Sequence, residues 1–325
     1  MRKKGVITLF GGLVVFTLSF LPIAHAMDKT FVTIGISVWT GYPKNIEGFK
    51  DAMEAGGFVE GETVKYLYGK SGLNREKQRD IAETFKAAKI DLAYSLTTPG
   101  TTIIKETLDP DTPIVFSIVT YPADSGLIES FDYSGNNLVG TSNYVPLRNY
   151  ISLLKSILPN TKSIAIFHRK GEPNSKIQAS NMKRLLKKAG IRVVDLEPTT
   201  VDETRKMALE LIGSVDVFMT TTDTLMQSGG EQALIEISLD KKIPILSSNK
   251  AGILAGATFG PVADFYTLGK ISGRMAVQIL KDHISPDSLQ SKLQYPPSYL
   301  VNRSSIKILG ITIPDANIDN VQYVN

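Results

Sequence analysis

The sequence predicts an α/β protein built from two doubly wound parallel-sheet lobes, and three observations carry that reading. From Phe31 onward, short β-rich runs alternate with helical patterns, the signature of βα units feeding a parallel sheet. The same order of units occurs twice along the chain. A further helix and strand follow the second series, so the chain must cross between the lobes more than once.

In the first series, runs at 31–38, 63–68, 92–95 and 114–119 read as strands; the second series comprises 163–167, 192–196, 217–220 and 243–246. Helical patterns lie between them, over 44–55, 75–88, 175–188 and 201–212. The stretch "GFKDAMEAGGFVEGETVKYLY" corresponds to "NMKRLLKKAGIRVVDLE", each a helix closed by glycine (Gly56, Gly190) before a strand. "REKQRDIAETFKAAKIDLAYSLTTPG" corresponds to "VDETRKMALELIGSVDVFMTTTDT". Pro113 and Pro244 each open a strand, where a missing N–H is tolerated.

Beyond the repeat, 264–281 reads as an amphipathic helix with Phe265, Leu268, Ile271, Met275 and Ile279 near one face, and 295–301 as another strand. Three crossings are therefore expected, near 138–142, 257–260 and 289–297. They divide the chain into lobe one, 27–141 plus 259–288, and lobe two, 142–258 plus 289–325. Gly140, Thr141, Phe259 and Gly260 are the candidate hinge residues, since a few positions there must absorb φ/ψ changes.

Residues 1–26 read as a cleaved secretory signal. Arg2, Lys3 and Lys4 precede an almost wholly apolar run, and Pro22 precedes the small-x-small box Ala24-His25-Ala26. An uncleaved anchor is the alternative. Cleavage after Ala26 removes three positive charges from a formal net charge of +4, leaving a nearly neutral chain with no basic stripe for nucleic acid. There is no cysteine, so the fold rests on packing and no lipid-modified N-terminus is available. The expected location is the periplasm.

Signatures of catalysis are missing. Gly69-Lys70-Ser71 ends like a phosphate loop, but the earlier glycine it needs is Val64. Neither G-x-G-x-x-G nor G-x-S-x-G occurs. Without Cys or H-E-x-x-H, neither a metal site nor a cofactor is expected. His168 reads as a polar residue at a strand end and His283 as a cation at a helix C-terminus.

In open α/β sheets, ligands sit beyond the carboxyl ends of the strands. Those ends in lobe one carry Trp39, Thr40, Tyr42, Thr97, Thr98, Thr120 and Tyr121; in lobe two they carry Glu172, Asn174, Thr222, Asp223, Thr224, Ser248 and Asn249. Trp39 could stack on a flat ligand or cover the core edge. Thr97-Thr98-Pro99 reads as a helix cap with proline in the first turn, a complete structural explanation, yet the same helix start suits a carboxylate. Asp223 is either a helix cap or the partner of a ligand ammonium. Glu172, in a Gly/Pro loop, reads as more exposed to solvent.

The stretches "DTPIVFSIVTYPADSGLIES", "NNLVGTSNY", "EPNS", "TTTDT", "FGPVADFYTLGKISGRMAVQIL" and "LGITIP" carry a resemblance. The chain resembles the ABC-transporter substrate-binding family that includes tryptophan-, phenylalanine- and tyrosine-binding members. The resemblance implies a type I periplasmic-binding-protein fold with three interlobe crossings and a partner permease with its ATPase; a monomer without catalytic activity is expected. Residue by residue, it places ligand contacts on the loop 39–43, on Thr97 and Thr98, on Thr120 and Tyr121, on Glu172 and Asn174, and on Thr222 and Asp223. The sequence departs from the family at 247–250, "SSNK", where members often carry acidic residues, and at "SVWTGYP". The function expected is capture of an amino-acid-like solute for import. The rivals are a ligand-presenting partner of a membrane receptor and an enzyme on a similar scaffold.

Overall fold

The computed structural model describes Met1, residues 31–313 and residues 321–325. The expected signal segment lies outside the described residues beyond Met1. Among the described residues no helix is long and apolar enough to cross a membrane.

The first lobe runs β1 (Val32–Val38), α1 (Pro43–Ala55), β2 (Val64–Lys70), α2 (Arg75–Ala87), β3 (Leu92–Leu96), α3 (Thr98–Thr107), β4 (Ile114–Ser117) and β5 (Leu138–Ser142). The second runs α4 (Leu147–Ile157), β6 (Ser163–Phe167), α5 (Pro173–Lys188), β7 (Arg192–Leu196), α6 (Val201–Glu210), β8 (Val217–Thr220), a π-helical turn (Met226–Gly230), α7 (Glu231–Lys241), β9 (Ile245–Leu246), α8 (Lys250–Ala255) and β10 (Phe259–Val262). The chain then returns to lobe one as α9 (Phe265–Asp282) and β11 (Lys292–Leu293). It ends in lobe two as β12 (Ser298–Asn302), α10 (Arg303–Leu309) and β13 (Val321–Val324).

Two sheets result. The first has the order β11-β5-β4-β3-β1-β2 and the second β13-β12-β10-β9-β8-β6-β7. Every pairing is parallel except β10 with β12. Central strands such as β3 and β8 are buried throughout because helices cover both sheet faces. Each lobe has its own core, in two hydrophobic clusters apiece, and none of the four mixes residues of the two sheets' lobes. Lobes that share no apolar core can move as bodies.

Three chain crossings join the lobes, the first two at positions that differ from the sequence reading and the third within the expected 289–297. Phe259–Val262 pairs with β9 and β12, so it belongs to lobe two rather than to 259–288 of lobe one. Lys292–Leu293 pairs with β5 and belongs to lobe one rather than to 289–325 of lobe two. Ser142 is likewise the last residue of a lobe-one strand. The links between the sheets are therefore 143–146, 263–264 and 294–297. Gly140, Thr141, Phe259 and Gly260 lie within ladders. A Cβ on Gly140 would sit 2.1 Å from the Phe116 carbonyl oxygen, and one on Gly260 1.9 Å from that of Ser247. Close packing accounts for these glycines.

Helix α9 docks on α1 through glycines. A Cβ on Gly48 would meet the Tyr266 carbonyl oxygen at 2.2 Å, and one on Gly269 that of Asn45 at 2.0 Å. The close approach lets Asn45 donate to Ser117 Oγ and to the Phe265 carbonyl, each at 2.9 Å, while Tyr94 donates to its Oδ1. This buried network sets α1, and hence Tyr42 at its start, against the mouth of the cleft.

Candidate ligand-binding site

The carboxyl ends of β1, β3 and β4 face those of β6, β8 and β9 across the cleft, and the lobes touch. Thr120 and Thr222 hydroxyls lie 3.1 Å apart, a hydrogen bond between residues that follow β4 and β8. Tyr42 of lobe one is close enough to Glu172 and Asp223 of lobe two that, after burial itself, their charges raise its phenol above the usual range.

On the lobe-one side the polar atoms are buried and unsatisfied. Trp39 Nε1 and the hydroxyls of Thr40, Tyr42, Thr97, Thr98 and Tyr121 have no hydrogen-bond partner. Each such group costs roughly 1–3 kcal/mol when left unpaired. Clustered at the strand ends, they make this the candidate place for a ligand to supply the partners. Trp39 and Thr97 converge on the start of α3, where a Cβ on Gly100 would lie 3.3 Å from Trp39 Cβ and 3.5 Å from Thr97 Oγ1.

The capping explanation of Thr97 fails. Its φ of 71° takes it out of the extended region that a capping side chain requires, and no cap hydrogen bond forms. Ile118, one residue past β4, has φ 56°. Positive φ at a β-branched residue is strained by about 1–3 kcal/mol, and both instances border the cleft. The Ile118 turn also ends β4 at Ser117, short of the predicted 119.

Lobe two presents acceptors. Asn174 Nδ2 donates to the Thr222 carbonyl at 2.7 Å, which leaves Oδ1 buried and unpartnered. Asn249 Nδ2 donates to Glu231 Oε2 at 2.9 Å and to the Thr221 carbonyl at 3.3 Å, leaving its Oδ1 in the same state. Flipping either amide would set oxygen against oxygen, so both orientations are fixed by chemistry.

Asp223 is both a cap and a buried anion. It accepts from the backbone N–H groups of Met226 (2.8 Å) and Arg169 (3.0 Å) and from the Thr221 hydroxyl (2.6 Å). Glu172 is 4% exposed, which corrects the expectation that it is solvated. Its carboxylate accepts from Thr224 N and Oγ1, and Arg169 Nη1 lies 3.8 Å away. The Gly171 turn and Pro173 fold Glu172 inward over Thr224. Burial, reinforced for Glu172 by the neighbouring Asp223 charge, raises both carboxyls above their ordinary range.

Other expected site residues spend their polar groups on the protein. Ser248 Oγ donates to the Thr220 carbonyl at 2.7 Å and accepts from Gln178, whose Oε1 accepts from Thr222 N and Oγ1. Three residues were missed by the sequence reading. Gln78 is buried beside Gly100 with an unpartnered Oε1. Phe265 meets Tyr42 edge-on at 5.7 Å. Glu231, at the start of α7, accepts from Thr220, Ser247 and Asn249 side chains. It thereby sets a carboxylate against the "SSNK" stretch that lacks an acid of its own. Burial raises it to about 7. Gln78 shares a helix face with Ala82 and Phe85, and Glu231 with Leu234, Ile235 and Ser238. A polar residue on an apolar stripe was the available signal.

Away from the cleft, His168 is buried after β6 with Nε2 2.9 Å from Asp195 Oδ1, and His283 caps α9 in the left-handed conformation. Among the described residues no cluster of His, Cys, Asp and Glu could hold a metal ion.

The chain is similar to known proteins over most of its length. A family model described as ABC transporter substrate binding protein matches residues 36–322. A tyrosine-binding protein of Clostridioides difficile is 29% identical over 300 residues, covering 91% of this chain and 86% of that one. A Streptococcus pneumonia ABC domain solved in complex with L-Trp superposes with TM-score 0.85 at 24% identity, over 90% of this chain and 99% of that one. A ligand-free, open substrate binding protein with adhesive properties from Clostridium difficile gives 0.70 at 28% identity over the same shares. With two α/β lobes of type I periplasmic-binding architecture and a match spanning nearly all the described residues, the chain belongs to the ABC transporter substrate binding protein family.

Proposed function

We propose that the protein is the substrate-binding component of an ABC importer, acting in the periplasm, and that it captures an amino acid, aromatic in character, between its lobes. Members of this family bind small molecules for a permease and its ATPase and are in general not catalysts. The observation that carries the ligand class is the opposite polarity of the two cleft walls. Lobe one offers the Trp39 N–H, a ring of free hydroxyls and the first turn of α3. These suit a carboxylate, which gains both hydrogen bonds and the favourable end of the helix dipole. Lobe two offers acceptors for the ligand's main-chain end: the amide oxygen of Asn174 and the carboxylates of Asp223 and Glu172. They suit an ammonium group.

A zwitterion bridging the walls would satisfy both sets at once and hold the lobes together. Closure would bend the links 143–146, 263–264 and 294–297 next to the expected hinge residues, a population shift toward the touching arrangement. The tyrosine-binding relative and the L-Trp complex support an aromatic side chain.

A thermal-shift screen of amino acids, sugars and nucleosides tests the reading. A ligand at 100 times its dissociation constant adds roughly 2.7 kcal/mol of stability. The expected response is to amino acids; a clear shift with sugars or nucleosides and none with any amino acid contradicts it.

A further inference from the structure

A cavity of about 360 Å³ opens between Tyr42 and Phe265 of lobe one and Met226, Ile235, Asn249 and Gly252 of lobe two. Its volume is that of a small-molecule pocket at the lower end of the range. Its walls are mostly apolar, with the Tyr42 and Phe265 rings in edge contact on one side. Met226 opens the kinked segment before α7, where Ser228 and Gly229 leave helical geometry and Gly229 has φ 121°.

Two residues lining this cavity carry buried polar atoms without partners, the Tyr42 hydroxyl and Asn249 Oδ1. Asn249 is 2% exposed, and its amide cannot turn. Glu231 holds Nδ2 from one side, while Glu231 is itself held by Thr220 Oγ1 at 2.8 Å and by Ser247. A Cβ on Gly252 would lie 2.1 Å from Glu231 Oε2, so the glycine leaves the space this carboxylate occupies. The chain thus spends a buried carboxylate on fixing one amide, with its carbonyl oxygen as a dedicated acceptor.

We infer that this cavity is the side-chain subsite and that Asn249 sets its specificity. The favoured ligand has an aromatic-sized apolar side chain carrying an N–H or O–H donor, as in tryptophan or tyrosine. A side chain of similar bulk without a donor, as in phenylalanine, leaves Asn249 Oδ1 unsatisfied. Sites that hydrogen-bond a substrate group reject analogues lacking it far more strongly than apolar pockets reject a methylene. Glu231 acts through Asn249 as a positioning residue.

The inference rests on the amino-acid reading, and isothermal titration of the full chain with tyrosine, tryptophan and phenylalanine separates the two. At least one donor-bearing ligand should bind the wild type at least tenfold more tightly than phenylalanine. In N249A that preference should collapse, through loss of tyrosine or tryptophan affinity with phenylalanine little changed. Phenylalanine binding as tightly as both others in the wild type overturns the subsite, as does an undiminished preference in N249A; either leaves the amino-acid reading standing. Binding of other amino acids but none of these three has the same effect. Failure of every amino acid to bind overturns both.

Discussion

At the residue scale the cleft is defined by groups that folding leaves unsatisfied. At Thr97 one of the two sequence readings fails: a Thr-Thr-Pro helix start is a good cap pattern, but a φ of 71° removes the cap and frees the hydroxyl. Positive φ at threonine is invisible in a sequence. Glu172 was undervalued for a similar reason, since a Gly/Pro loop gives no sign that its side chain folds back onto Thr224. These buried carboxyls make the protein pH-sensitive. Glu231 is raised to about 7 by burial, and Glu172 is raised by burial and by Asp223. A carboxyl raised on folding contributes stability that is present below its unfolded value near 4.5 and is lost as pH rises through the folded value. For Glu231 the change is on the order of 3 kcal/mol. The ligand-free melting temperature should therefore fall between pH 5 and 8. Over the same range an ammonium ligand, which favours the ionised carboxylates, should add an increasing increment. Melting curves with and without ligand measure both trends, and Glu172→Gln should flatten the second.

At the element scale the sequence was most informative where periodicity and punctuation agree. The strand runs at 163–167, 192–196 and 217–220 match β6, β7 and β8 residue for residue, because each is a short β-rich run bounded by turn or charge signals. The ends of other strands moved for local reasons. Ile243 still bonds back to Ser238 at the end of α7, so β9 starts later than 243, and Pro296 and Pro297 cannot donate to the ladder, so β12 starts at Ser298. Helix α4 was not singled out in the sequence, although its apolar face packs in the lobe-two core. Nor could spacing alone show that Gly48 and Gly269 bring α1 and α9 together. Their role gives a prediction at this scale. Gly269→Ala places a methyl against the Asn45 carbonyl and should destabilise the protein by about 1–3 kcal/mol, read from chemical denaturation. By disturbing the Asn45 network it should also weaken ligand binding, although Gly269 lies outside the cleft. A variant as stable and as tight-binding as wild type would contradict this view of the α1–α9 contact.

At the scale of the whole molecule, the internal repeat foretold two lobes and the tail foretold a return crossing. The sheet pairings place the first two crossings downstream of the expected residues, the second because β10 extends the lobe-two sheet before the chain leaves it, and the third within the expected 289–297. What no linear pattern conveys is that an indole N–H and free hydroxyls gather on one wall of the cleft, while carboxylates and an amide oxygen gather on the other. That asymmetry links the fold to the proposed activity, since a ligand that pairs with only one wall gives no reason for the lobes to close. Titration calorimetry with a matched series tests this most directly: the best-binding amino acid, the amine lacking its carboxylate, and the acid lacking its ammonium. Each truncated analogue is expected to bind about a hundredfold more weakly than the parent, or weaker still. Retention of full affinity by either analogue would contradict a cleft built to hold a zwitterion between its lobes.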